Sequence, residues 1–223
     1  MDALLRRRMM MMAGGGPTPP TPVTPVFYDY LYFDGTAYIE TTYVLPTDCS
    51  VRVFIGNETS KASQQVLGAY GTNGGYVAVY YGGSTNTTRR QVVVNYDSSS
   101  YVKTQNLNWS NATFSFFLTP NRMGWGNSSY TFTKGSLHPD GGIRFGVYNP
   151  QSTTAKFSGK MGQIRIYGSD ASGVTTNAGF DNYTPVATFR PCTYNGVPGL
   201  WYVEGNTFFG NSAGTGTLTA SNS

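Results

Sequence analysis

The groups able to do covalent chemistry are few in this chain. One histidine is present, His138, in the stretch LHPDGG. A lone imidazole ahead of Pro-Asp-Gly-Gly reads as a loop residue, and no nucleophile elbow accompanies it. A Ser-His-Asp or Cys-His arrangement is therefore set aside. Glycoside hydrolysis needs two carboxyl groups about 5–9.5 Å apart. On one strand that means residues i and i+2, about 6.6 Å apart at roughly 3.3 Å per residue. The acids after residue 26 are Glu40, Glu58, Glu204 and seven Asp, and no two have that spacing. Cys49 and Cys192 are far apart and show no metal-ligand spacing. Two reduced thiols are expected, although neighbouring first and last strands leave a disulfide geometrically open. No catalytic residue, cofactor or metal ligand is assigned.

Groups suited to binding are better represented. Tyr, Phe and Trp make up 15% of the residues, against 12% charged. Trp109, Trp125, Tyr80 and Tyr81 stand near Asn-, Gly- and Ser-rich stretches, where an aromatic face can stack on a sugar. The competing expectation for each is an ordinary half-buried sheet aromatic. Phe114, Phe116, Ile143, Phe145, Ile164 and Ile166 alternate within apolar runs and are expected in a core.

The elements that must position these groups are strands. Ala37, Ile39, Thr41, Tyr43 and Leu45 share one face at period two, as do Val51, Val53 and Ile55 in SVRVFIG. Further strands are expected at YLYF, QQVLGAY, GYVAVYY, RQVVVNY, TFSFFLT, SYTFT, IRFGVY, GQIRIYG, VATFR, GLWYVEG and TFF. Turn signals lie between them, among them Asp34-Gly35, Asn73-Gly74-Gly75, Asp140-Gly141-Gly142 and Asn195-Gly196. So many short strands must close into a sandwich or barrel to protect their edges.

The first 26 residues are different. Asp2 can cap a short helix of Ala, Leu, Arg and Met that Gly14 to Gly16 would end. About a dozen residues is marginal for an isolated helix. Residues 1–16 therefore read as a docking peg that orders on a partner through Leu4, Leu5, Arg6, Arg7, Arg8, Met9 and Met12. Residues 17–26 carry Pro17, Pro19, Pro20, Pro22 and Pro25 and read as a stiff linker of about 31 Å at roughly 3.1 Å per residue. Residues 27–223 form the third unit, a β-sandwich head.

Charge and targeting signals narrow the setting. Arg6, Arg7 and Arg8 against Asp2 place +2 of the +4 net charge in the peg. The remaining 12 of 15 basic and 10 of 11 acidic residues are spread without runs. Nucleic-acid binding through the head is not expected. The apolar stretch Met9 to Ala13 is shorter than the roughly 7–15 residues of a signal core, and no run approaches a membrane span. The chain reads as made in the cytosol. Its Asn-x-Ser/Thr sequons, at Asn57, Asn86, Asn108, Asn111, Asn127 and Asn182, then reflect composition.

Several stretches resemble a known family. FDGTAYIETTYVLP and FSGKMGQIRIYG resemble the first and penultimate strands of concanavalin-A-like lectin and laminin-G-type jelly rolls. PGLWYVEGNTFFGNSAGTGTL resembles the closing segment of such domains in tailed-phage and gut-bacterial surface proteins. MDALLRRRMMMMAGG is similar to the N-termini of virion proteins of phages of gut Bacteroidetes. The resemblance implies an all-β jelly-roll sandwich of two antiparallel sheets on an N-terminal helix or arm. It implies a virion structural protein, either a head fibre decorating the capsid or a tail-fibre component. Its place would be the virion surface, after synthesis in the host cytoplasm. Expected partners are other virion proteins at residues 1–16, further copies of the chain, and a host surface glycan. The alternatives are a stand-alone bacterial carbohydrate-binding lectin module and a divergent glycosidase. The Glu-x-Asp-x-x-Glu set of the glucanase branch is absent, and no calcium ligands are located.

Overall fold

The computed structural model describes residues 23–56, 64–72, 76–81, 89–96, 99–106, 113–125, 127–133, 138–147 and 156–222. At 76, 80–81, 89–96, 99–106 and 113–114 the description is of the backbone. The strands in chain order are β1 (Val26–Phe27), β2 (Tyr30–Asp34), β3 (Ile39–Val44), β4 (Ser50–Gly56), β5 (Gln64–Tyr70), β6 (Tyr76–Tyr81), β7 (Arg89–Tyr96) and β8 (Ser99–Asn106). They continue as β9 (Thr113–Thr119), β10 (Arg122–Trp125), β11 (Ser128–Thr131), β12 (Gly142–Phe145), β13 (Ser158–Tyr167), β14 (Ala187–Tyr194), β15 (Val197–Tyr202), β16 (Thr207–Phe209) and β17 (Leu218–Ser221). Among the described residues no helix is long and apolar enough to cross a membrane.

Two antiparallel sheets result. The larger runs β11-β10-β9-β4-β13-β14-β15-β16, with β1 on β14, and β2 on both β13 and β17. The smaller runs β3-β12-β5-β6-β7-β8. Period-two alternation explains why the sheets face each other. On β4, Val51, Val53 and Ile55 are at most 2% exposed and pack with Phe116, Ile164 and Ile166. Ala37, Ile39, Ile143 and Phe145 supply the facing layer. Phe189 sits among Tyr43, Phe145 and Tyr202, with ring centroids at 5.7, 5.2 and 5.1 Å. A truncation there would remove about 3–5 kcal/mol.

Strand β13 is the hinge of the larger sheet. Its register shifts between Met161 and Ile164, and a bulge of this kind bends a strand and increases its twist. The same edge of β13 thus serves two partners: β2 pairs Ser158 to Met161, and β14 pairs Ile164 to Ile166. Gly162 lies in the bulge, where a Cβ would stand 3.0 Å from the Phe54 Cβ. A larger residue would push β4 away.

The last strand closes the first sheet position. β17 pairs along β2, Leu218 with Phe33 to Ser221 with Tyr30. The Asp34 carboxylate locks this closure by accepting bonds from Thr36 N (2.8 Å), Thr36 Oγ1 (2.8 Å), Ala37 N (3.0 Å) and Thr217 N (2.6 Å). Burial works to raise the carboxyl pKa, but these four bonds outweigh it and hold the group at about 2.

A second apolar layer covers part of the outer face. The chain between β13 and β14 forms two 3₁₀ turns, Ser169–Ala171 and Ala178–Asn182. Ala171, Val174 and Phe180 pack on Phe117 and Tyr167 of the sheet. Asp181 meets Arg52 at 2.7 Å, and the Asn177 amide donates to Ser115 O at 2.6 Å. Local sequence in this excursion shows no helical period, so its order comes from the layer beneath it.

Candidate functional site

The excursion ends one wall of a cleft. A cavity of about 610 Å³ opens at one end of the sandwich, lined by Asp48, Pro120, Asn121, Thr131, Phe132, Thr133, Ser169, Ser172 and Gly173. That volume falls within the roughly 300–1,000 Å³ of small-molecule sites. Three connections meet there. The β3–β4 link turns at Pro46 to Cys49, closed by Cys49 N donating to Pro46 O at 3.3 Å. Asp48 has φ 57 there, a left-handed conformation that Asp tolerates better than most residues.

The second wall is the β9–β10 turn. Thr119 pairs with Arg122, leaving Pro120 and Asn121 as the two turn residues. Phe132 N donates to Asn121 O at 2.9 Å, which binds the end of β11 to this turn. The third wall is the Ser169–Ala171 turn, where Ala171 N and Ser172 N donate to Gly168 O and Ser169 O. Ser50 Oγ donates to Ala171 O at 3.3 Å, and Ala171 itself is buried. The hydroxyls of Ser169 and Ser172 are thereby placed by packing rather than by local preference.

The lining has a specific chemical character. Asn121, Thr131, Thr133, Ser169 and Ser172 offer hydroxyl and amide groups that both donate and accept hydrogen bonds. Pro120 and Phe132 supply apolar surface, and among the described residues lining the cleft Asp48 is the ionisable one.

Position matters as much as lining. On β14, Ala187 pairs with Ile166 next to the cleft wall, while Thr193 pairs with Val26 of β1. The chain thus joins the head beside the Asn195-Gly196 turn, about 20 Å from the cleft end of β14 at roughly 3.3 Å per residue. The cleft and the N-terminal junction lie at opposite ends.

Of the aromatic residues singled out from the sequence, Trp125 is fully described, and it is not among those lining the cleft. Trp125 is 8% exposed, on the inward face of β10, with its ring 5.4 Å from that of Tyr130. It presents no face to solvent. Tyr80 and Tyr81 end β6, in register with Gln65 and Gln64. Trp109, and the peg residues Leu4, Leu5, Arg6, Arg7, Arg8, Met9 and Met12, lie outside the described residues. Phe116, Ile143, Phe145, Ile164 and Ile166 are all in the core, and Phe114 aligns with Ile55.

His138 is a loop residue, with Nε2 2.6 Å from Leu45 O. Cys49 and Cys192 are not joined in a disulfide. Cys49 packs on the inner core. Cys192 aligns with Phe27 and Gly199 on the other face of the sheet, where burial pushes its thiol up to about 11. Opposite faces explain the absence of a bridge.

No family model and no curated protein matches the chain. Solved structures do match. A "putative carbohydrate binding protein" from Bacteroides ovatus aligns with TM-score 0.59 and 14% identity, over 90% of this chain and 62% of that one. A heptameric SAP-like pentraxin from Limulus polyphemus aligns with TM-score 0.50 and 13% identity, over 61% of this chain and 74% of that one. Mouse laminin α1 domains LG4-5 align with TM-score 0.44 and 11% identity, over 73% and 50%. The chain therefore spans less than two thirds of the Bacteroides protein. The fold is a concanavalin-A-like jelly-roll sandwich of two antiparallel sheets, the lectin-like architecture that the sequence resemblance implied.

Proposed function

We propose that this chain is a display protein whose lectin-like head binds glycan through the end cleft and is held out by its N-terminal segment. The observation that carries the reading is the polarity of the head. The chain joins it beside Asn195-Gly196, and the hydroxyl-lined cleft lies at the other end. A domain tethered at one end presents the other outward. The cleft offers neutral donors and acceptors with Phe132 and Pro120 as apolar surface, a combination suited to sugar hydroxyls and ring CH groups. We assign it binding, not turnover.

The finer setting is a phage virion. Residues 1–16 dock to a capsid or tail component, residues 17–26 act as spacer, and the head meets a host surface glycan. A second reading is a stand-alone carbohydrate-binding module, favoured by the likeness to the Bacteroides ovatus protein. Glycan-array binding of the full chain, compared with N121A/S169A, tests the cleft. At least about a fivefold loss in the variant with unchanged thermal midpoint is expected, since each lost hydrogen bond is worth about 0.5–1.5 kcal/mol. Equal binding by both proteins would remove the cleft from consideration. Mass spectrometry of purified particles, with and without residues 1–16, separates the virion setting from the stand-alone one.

A further inference from the structure

The outer face of β14, β15 and β16 is rich in aromatic side chains. Register places Arg190 beside Trp201, Trp201 beside Phe208, and Phe27 beside Cys192 and Gly199, all turned away from the core. The Tyr194 ring lies 5.4 Å from that of Trp201 and 5.5 Å from that of Phe208. Gly199 leaves the slot in which the Phe208 ring lies, since a Cβ there would stand 2.6 Å from it. The Arg190 guanidinium sits 4.0 Å over the Phe27 ring. Val197 is 50% exposed and Phe27 36%, so the apolar surface reaches solvent.

Arg190 is the one charged residue among these strand positions. Trp, Tyr, Phe and Arg without Lys, Asp or Glu is the composition of the desolvated centre of a protein interface. Exposed apolar surface of this kind marks an interaction site. Its occupant follows from where the chain comes in. β1 forms one border of the face, and the 22 residues before Val23 continue from it. Any assembly that holds several N-termini together brings several copies of this face together. The face offers no acid for a basic partner, while its arginine and rings complement an identical set, guanidinium on aromatic.

We propose that this face binds the same face of a second copy of the chain, an isologous dimer with the two rows of rings meeting across a twofold axis. The inference stands apart from what the cleft binds. Sedimentation of the full chain tests it, against F27S/V197E, V197E alone and a control, V44E, at an exposed position on the smaller sheet. The wild-type protein and V44E sediment as dimers. V197E raises the dissociation constant at least tenfold, and F27S/V197E is a monomer with wild-type near-ultraviolet circular dichroism. A wild-type monomer at the highest soluble concentration overturns the proposal, as does a trimer or larger ring. A dimer that persists in F27S/V197E also overturns it and moves association to the N-terminal segment.

Discussion

The two ends of the head carry opposite chemistry on one scaffold. At the cleft end, three connections bring together small polar side chains, with Asp48 the ionisable group among the described ones. Beside the N-terminal junction, Tyr194, Trp201 and Phe208 pack on one another on an outer sheet face. Strand β14 links the two regions, since its start pairs beside the cleft wall and its end carries part of the aromatic face. They differ in what fixes them. The cleft depends on turns and on a second apolar layer, whereas the aromatic face depends on strand register alone. A change in packing should therefore disturb both, and a change in a turn should disturb one.

The largest expected effect is on both at once. Phe189→Ala empties the centre beneath both regions and should cost about 3–5 kcal/mol, read as a fall in the urea midpoint with loss of cleft binding and of assembly together. Retention of either at full stability would show that the regions are less coupled than the shared strand implies.

A smaller effect comes from the closure at Asp34. Its carboxyl is held at about 2, below the ordinary 3.8, so its stabilisation is complete above pH 4 and is lost as pH falls towards 2. Partial exposure limits this to about 1–2 kcal/mol. Asp34→Asn should flatten that limb of the stability profile while leaving the cleft geometry unchanged. An unaltered acid limb in the variant would assign it to other groups.

The smallest effect separates the ends. Asn195 has φ 53 and Gly196 φ 77, the two left-handed positions of a tight hairpin turn. A Cβ on Gly196 would meet nothing within 4 Å. Gly196→Ala therefore costs backbone strain alone, about 1 kcal/mol. Differential hydrogen exchange should rise in β14 and β15 near the turn and stay unchanged at Ser169 and Asn121.

Legibility followed the same division. SVRVFIG alternates cleanly, and β4 covers that stretch from Ser50 to Gly56. β8 (SSYVKTQN), β10 (RMGW) and β17 (LTAS) were not foreseen, because they are polar or short and owe their extension to neighbours. The cleft residues Asp48, Asn121 and Ser169 belong to three separate connections, and no local pattern marks them. Trp201 had a readable signal. In GLWYVEG, Leu200 and Tyr202 alternate with it, and Phe189 and Leu200 are core residues, so the tryptophan must face outward. Trp125 shows the converse: a glycine-rich neighbourhood resembled a loop, but pairing with Phe116 turned the ring inward.

The bond from Thr217 N to Asp34 spans 183 residues. A ribosome delivers β17 long after β2, so one flank of β2 stays open while the strands between them are made. Contacts this distant in sequence form slowly, and an open strand edge is a template for mispairing. The nascent head must wait for β17 before this strand is covered.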